Sequence, residues 1–203
     1  MHTIPINTEE NSLEILGGKG RSLARMTRSG FRVPDGFIVT ADAYRDFVNK
    51  CGIQEEIIEL AKPDLKNGYP NFEECSKKIQ LIIESNQTPD STRNEIIEAY
   101  EGLSGKDLRM AVRSSANAED LPEFSFAGQQ ETFLNISTSA AIIESVHKCW
   151  ASLWTPQAIS YRHQNGIDQS SVAMAVVVQK MIPSEVSGIL FTANPSSGER
   201  SQI

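Results

Sequence analysis

Apolar residues recur along this chain with two spacings, and the shift from one to the other predicts where strands give way to helices. Thr3 to Ile6 has the form of a short strand. After Leu16-Gly17-Gly18-Lys19-Gly20, Leu23 and Met26 share one face of a predicted helix, Arg21, Arg25 and Arg28 occupy others, and Ser29–Gly30 supplies the stop. Val33-Pro34-Asp35-Gly36 is turn chemistry, and Phe37 to Thr40 a short strand. Thr40 is placed to cap a helix presenting Tyr44, Phe47 and Val48, with Gly52 beyond its end. From Ile53 to Leu103 helical spacing dominates. Ile57, Ile58, Leu60 and Ala61 form one segment, and Ile79, Leu81, Ile82 and Ile83 another. A third, carrying Ile96, Ile97 and Tyr100, opens at Thr88-Pro89 with the proline at the first helical position. Pro63 to Pro70 separates the first two, and the whole stretch predicts packing helices without a site.

Leu108 to Asn135 changes character. Met110, Ala111 and Val112 suit a buried strand, Arg113 follows directly, and a polar loop leads to a second strand-like run ending at Asn135. Ser137 or Thr138 caps an apolar helix from Ala140 to about Trp154, and Thr155-Pro156 opens another that ends at Gly166. Val172 to Met181 is the continuous apolar run of a centrally buried strand. Ser187 to Ala193 is predicted as a last strand, joined to it through Ile182-Pro183-Ser184-Glu185 as by a hairpin loop.

Composition narrows the class without choosing a function. With 203 residues, 39% hydrophobic and 22% charged, the chain can bury a real core. A formal charge of −7 argues against a general nucleic-acid or anionic-membrane surface, though not against a local basic pocket. Cys51, Cys75 and Cys149 lack CxxC spacing and fit reduced thiols. No signal peptide is evident at the N-terminus, and the apolar run Val172 to Val178 is too short to span a bilayer. The expectation is a cytoplasmic protein, or part of one.

Candidate chemistry gathers at a few polar positions. Arg113 cannot shed its charge when desolvated, so it needs a carboxylate, a phosphate or water. Either it pairs with Glu119 or Glu131, or it clamps an anion opposite the loop around Gly128. Three glycines around Lys19 just before a helix allow close backbone approach and a positive helix end, which suits phosphate, but the spacing is not a P-loop and a turn with a solvated lysine explains it as well. Gln179, where the apolar strand meets its loop, is either an exposed amide or a polar companion for a flat purine. His147 reads as structural or surface, and His163 suits the C-terminal dipole of its helix.

Six ordered runs carry a resemblance: LGGKGRSLARM (Leu16–Met26), VPDGFIVTADAY (Val33–Tyr44), AVRSSANAEDLP (Ala111–Pro122), SFAGQQETFLN (Ser125–Asn135), CWASLWTPQAISYR (Cys149–Arg162) and VVQKMIPSEVSGILFTANP (Val177–Pro195). Together they resemble the N-terminal ATP-binding domain of the phosphoenolpyruvate synthase and pyruvate phosphate dikinase family, which includes the rifamycin phosphotransferases. The resemblance implies an α+β, ATP-grasp-like fold with mixed sheets and packing helices. Residues 1–203 would be its N-terminal part, with the rest of the second lobe, the phosphohistidine domain and the acceptor domain outside. Lys19 and Arg113 would be phosphate-binding cations, Gly128 part of the loop closing over the phosphates, Thr132 a lining residue of the same pocket, and Gln179 a mark of the adenine-side strand.

ATP and Mg2+ would be the cofactors, with metal ligands mostly beyond Ile203. Glu119 and Asp120 fit loop-ordering carboxylates better than metal ligands. The family converts ATP to AMP and phosphate through a carrier histidine, and none of His2, His147 or His163 lies in such a motif. Partners would be ATP and pyruvate or another acceptor, not nucleic acid or membrane, and a homodimer of the intact enzyme is allowed. A rifamycin phosphotransferase or a pyruvate phosphate dikinase is the alternative within the family, and a non-catalytic nucleotide-binding module the alternative from another class. Alone, this piece is expected to bind ATP weakly and to turn over negligibly.

Overall fold

The computed structural model describes residues 1–66, 69–103, 108–116, 131–194 and 197–201. In chain order the elements are β1 (Thr3–Pro5), α1 (Leu13–Arg28), β2 (Gly36–Val39), α2 (Ala41–Lys50), α3 (Gln54–Leu60), β3 (Asp64–Lys66), β4 (Tyr69–Asn71), α4 (Glu73–Ser85), α5 (Asp90–Glu101), β5 (Met110–Ala116), β6 (Thr132–Ile136), α6 (Ser139–Ser152), α7 (Pro156–Gln164) and β7 (Met174–Lys180). The main sheet runs β1-β2-β7-β5-β6, and β3 and β4 form a separate hairpin.

This is an α+β arrangement, but the mixed sheet expected from the sequence is corrected: every neighbouring pair is antiparallel. The helices between β2 and β5 do return the chain so that those two strands run the same way. Between them sits β7, running opposite and bonded to both. Its Ala175 to Val178 are buried to 0% exposure, as a strand covered on both faces and both edges requires.

Alternation along the strands sends side chains to two different cores. Phe37, Val39, Met110, Val112, Val176 and Val178 face the helices α2, α4 and α6, where Phe47, Ile79, Ile83, Ile142 and Trp150 complete the larger cluster. Ile38, Ala175 and Val177 face α1, which contributes Leu16 and Ala24 to a smaller one. Helix starts follow the local chemistry. Thr138 and Thr155 accept from the N–H groups of Ala141 and Ala158, and Pro156 opens α7 where its missing donor costs nothing. Thr40 flanks α2 without a side-chain cap; its hydroxyl donates to the Met1 carbonyl at 3.3 Å instead.

Three further differences have physical causes. Ser187 to Ala193 forms no strand: β2 and β5 already occupy both edges of β7, so a hairpin partner has nowhere to pair, and Ile189 and Leu190 lie 85% and 76% exposed. The Pro63 to Pro70 separator holds the β3–β4 hairpin, too short to show a period. Pro89 is the N-cap of α5, not its first helical residue. Among the described residues no helix is long and apolar enough to cross a membrane.

Candidate functional site

One row of residues crosses the sheet on the α1 side. Register pairs Ile4 with Ile38, Ile38 with Val177, Val177 with Arg113, and Arg113 with Thr132. Directly paired residues share a face, so the row changes chemistry halfway across. The Ile4, Ile38 and Val177 half packs in the cluster under α1. The other half presents a half-buried arginine and an exposed threonine. Among the described residues the Arg113 side chain has neither a hydrogen bond nor an ion pair, Glu131 included, and Glu119 lies outside them.

The start of α1 meets the same end of β5. Gly17 breaks the helix with φ 66° and ψ 174°, a conformation strained for any L side chain, so the regular part begins at Gly18. The glycine also has no room for more: a Cβ there would lie 1.9 Å from the Ser115 carbonyl oxygen. Gly18, Lys19 and Gly20 therefore form the first turn of a helix whose N-terminus abuts the end of β5, with the positive end of the dipole toward it. The Lys19 ammonium donates to the Ser114 carbonyl at 2.8 Å, which ties it to the residue after Arg113. The Ser115 hydroxyl donates to the Leu16 carbonyl at 2.9 Å and accepts from the Gly20 N–H at 3.1 Å.

Of the five residues singled out in the sequence, Lys19, Arg113 and Thr132 come together at this end of β5. Gln179 shares their face but pairs with Ala111, two residues along β5 and so about 7 Å away. It is no exposed amide: it is 8% exposed, and its Nε2 donates to the Pro34 carbonyl at 3.1 Å. Gly128, Glu119 and Asp120 lie outside the described residues. Sequence reasoning missed Ser115, which it left among the polar residues after Arg113. The available signal was a serine at a position whose alternation puts it on a covered face.

Charge reaches the helix side from here. The Cys149 thiol on α6 is pushed up to about 12, first by burial and then by the Glu131 carboxylate, with the Lys19 ammonium opposing. The histidines take structural places. His147 is buried between Phe47 and Trp150, its Nε2 2.7 Å from the Thr88 hydroxyl, and burial lowers its pKa while a hydrogen bond to the Glu84 backbone opposes. His2 lies between Glu95 at 3.0 Å and Asp46 at 3.4 Å. His163 packs against the Phe72 ring. Among the described residues no group of three or more His, Cys, Asp or Glu side chains could hold a metal.

Known proteins share this sequence closely. A probable phosphoenolpyruvate synthase from Archaeoglobus fulgidus is 46% identical over 97% of this chain, which covers 27% of that protein. One from Methanocaldococcus jannaschii is 48% identical over 91% of the chain and 16% of its own length. A rifampicin phosphotransferase from Streptomyces sviceus is 45% identical over 95% of the chain and 22% of its length. The chain thus spans about a quarter or less of these relatives. With residues 13–203 matching the family described as pyruvate phosphate dikinase, AMP/ATP-binding domain, the chain belongs to that nucleotide-binding family.

Proposed function

We propose that this chain is the ATP-holding part of a phosphoenolpyruvate synthase-like enzyme of ATP-grasp architecture. In that enzyme ATP, pyruvate and water become AMP, phosphoenolpyruvate and phosphate, with the phosphoryl group carried on a histidine elsewhere in a longer protein. The observation that carries the reading is Arg113, a permanent cation without a protein partner among the described residues, beside the Lys19 helix start. Phosphoryl transfer asks for fixed cations and backbone donors around a polyphosphate more than for covalent chemistry from the protein. Lys19 and Arg113 supply the cations, the first turn after Gly17 supplies N–H groups, and Thr132 adds a hydroxyl on the same face. Gly128 would belong to the loop over the phosphates, and Gln179, through the backbone of its strand end, to the adenine side. Magnesium accompanies ATP in such reactions, but the described residues offer no ligand set for it, and these roles do not pass through a metal.

A second reading has its own support, since the rifampicin phosphotransferase relative matches the chain almost as closely as the synthases do. Pyruvate and rifampicin, offered in turn to the longer protein with MgATP, separate the two acceptors. For the chain alone the expected result is weak MgATP binding by calorimetry, with a dissociation constant above about 1 μM, and no steady AMP release. Tighter binding or turnover by the chain alone would overturn the assignment of the missing functions to other parts of the protein.

A further inference from the structure

We infer that Ser115 is a positioning residue that fixes Lys19 against Arg113, an inference that rests on the proposed phosphate role of those two cations. The direction of Arg113 is set by β5 and its ladder partners, whereas Lys19 rides on α1. Apolar packing holds the helix against the sheet through Leu16, Ile38 and Val177, but such packing has no direction and tolerates sliding. Ser115 supplies the direction. Its hydroxyl takes the Gly20 N–H and gives its proton to the Leu16 carbonyl, so one side chain brackets the break at Gly17 from both sides. The glycine in between lies against the Ser115 carbonyl, closer than any side chain would allow.

With 0% exposure, Ser115 cannot touch a ligand, and water cannot replace its hydroxyl. Its effect on ATP must run through the start of α1. Removing the hydroxyl leaves a carbonyl and an N–H to find new partners, which they do most readily by a shift of the helix start. The Ser114 carbonyl that holds Lys19 belongs to the residue between Arg113 and Ser115 on the same strand, so such a shift moves the ammonium relative to Arg113.

The test measures ATP binding by calorimetry for the parent chain and for Ser115→Ala, Ile38→Val and Arg113→Ala, with amide hydrogen exchange on the first three. Ile38→Val trims the same helix–sheet contact without touching a polar group, and so controls for stability. Ser115→Ala is expected to weaken ATP about tenfold. It should also speed exchange at Gly18 to Gly20 while leaving Val177 protected, and Ile38→Val should bind ATP like the parent. Should Ser115→Ala fail to fold, Ser115→Cys, nearly the same size with a weaker donor, takes its place in the comparison. Parent-like binding by the Ser115 variant, with binding lost in Arg113→Ala, overturns the positioning role alone. Equal losses in the Ser115 variant and Ile38→Val overturn it too, as a plain stability effect. A parent chain that binds no ATP at millimolar concentration overturns the proposed function and this inference with it.

Discussion

The two faces of the main sheet are built on opposite terms. On the helix side the strands offer Phe37, Val39, Met110, Val112, Val176 and Val178, and α2, α4 and α6 close over all of them. On the other side the apolar residues of α1 pack on the β2–β7 half and its start meets β5 at Ser115, while beyond Val177 the row passes to Arg113 and Thr132. One strand, β5, serves both: Met110 and Val112 are buried in the large core, while Arg113 between them and Ala116 is held half-exposed. Stability is thereby concentrated on one face and polar chemistry on the other. A cation can be kept uncompensated on the second because the first supplies the burial.

The sharpest way to break that division is on the helix side. Trp150 is fully buried, with Tyr44 and Phe47 at ring-centroid distances of 5.8 and 5.1 Å. Trp150→Ala should cost about 4 kcal/mol in denaturant unfolding. A loss below about 1 kcal/mol would mean that this face is not where stability resides. The matching change on the open face is Arg113→Ala. It removes no buried contact, so stability should stay within about 0.5 kcal/mol, while ATP affinity should fall about thirtyfold, or about 2 kcal/mol. A variant that unfolded as easily as the tryptophan one would show the arginine to be structural and erase the contrast.

The same division explains what could be seen in the sequence. Helix-side elements announced themselves, because a closed apolar face imposes a period: α2, α4, α6 and β7 lie where the spacing of apolar residues put them. Lys19 and Arg113 were legible as polar residues in places that called for a reason, and Thr132 came in only with the family resemblance that joined the three. Their convergence depends on register, which no single strand encodes. Gln179 was legible as a polar residue at a strand end, but not its bond to Pro34, a residue 145 positions away. Ser187 to Ala193 misled because an apolar run says that a segment needs cover, not that a free edge exists to pair with it. Gly17 was legible as one of three glycines that allow close backbone approach, but not what it approaches, and Ser115 escaped because it acts through that contact and has no local pattern of its own.

The smallest effect tests whether the helix side is closed to protons as well as to water. His147 is 7% exposed, and burial holds its pKa below the ordinary 6.5, with the Glu84 backbone bond only partly offsetting this. The folded chain therefore takes up the proton at lower pH than the unfolded chain does. Stability contributed by the neutral ring is fully present above pH 6.5 and is lost as pH falls from there through the folded-state pKa. His147→Gln keeps a polar group near the Thr88 hydroxyl and cannot titrate. Its melting temperature should therefore fall less than the parent's between about pH 7.5 and pH 5. Ionisable groups common to both proteins cancel from the difference. Equal slopes would show that the ring reaches solvent when protonated, and the helix face would then be as permeable to charge as the open one.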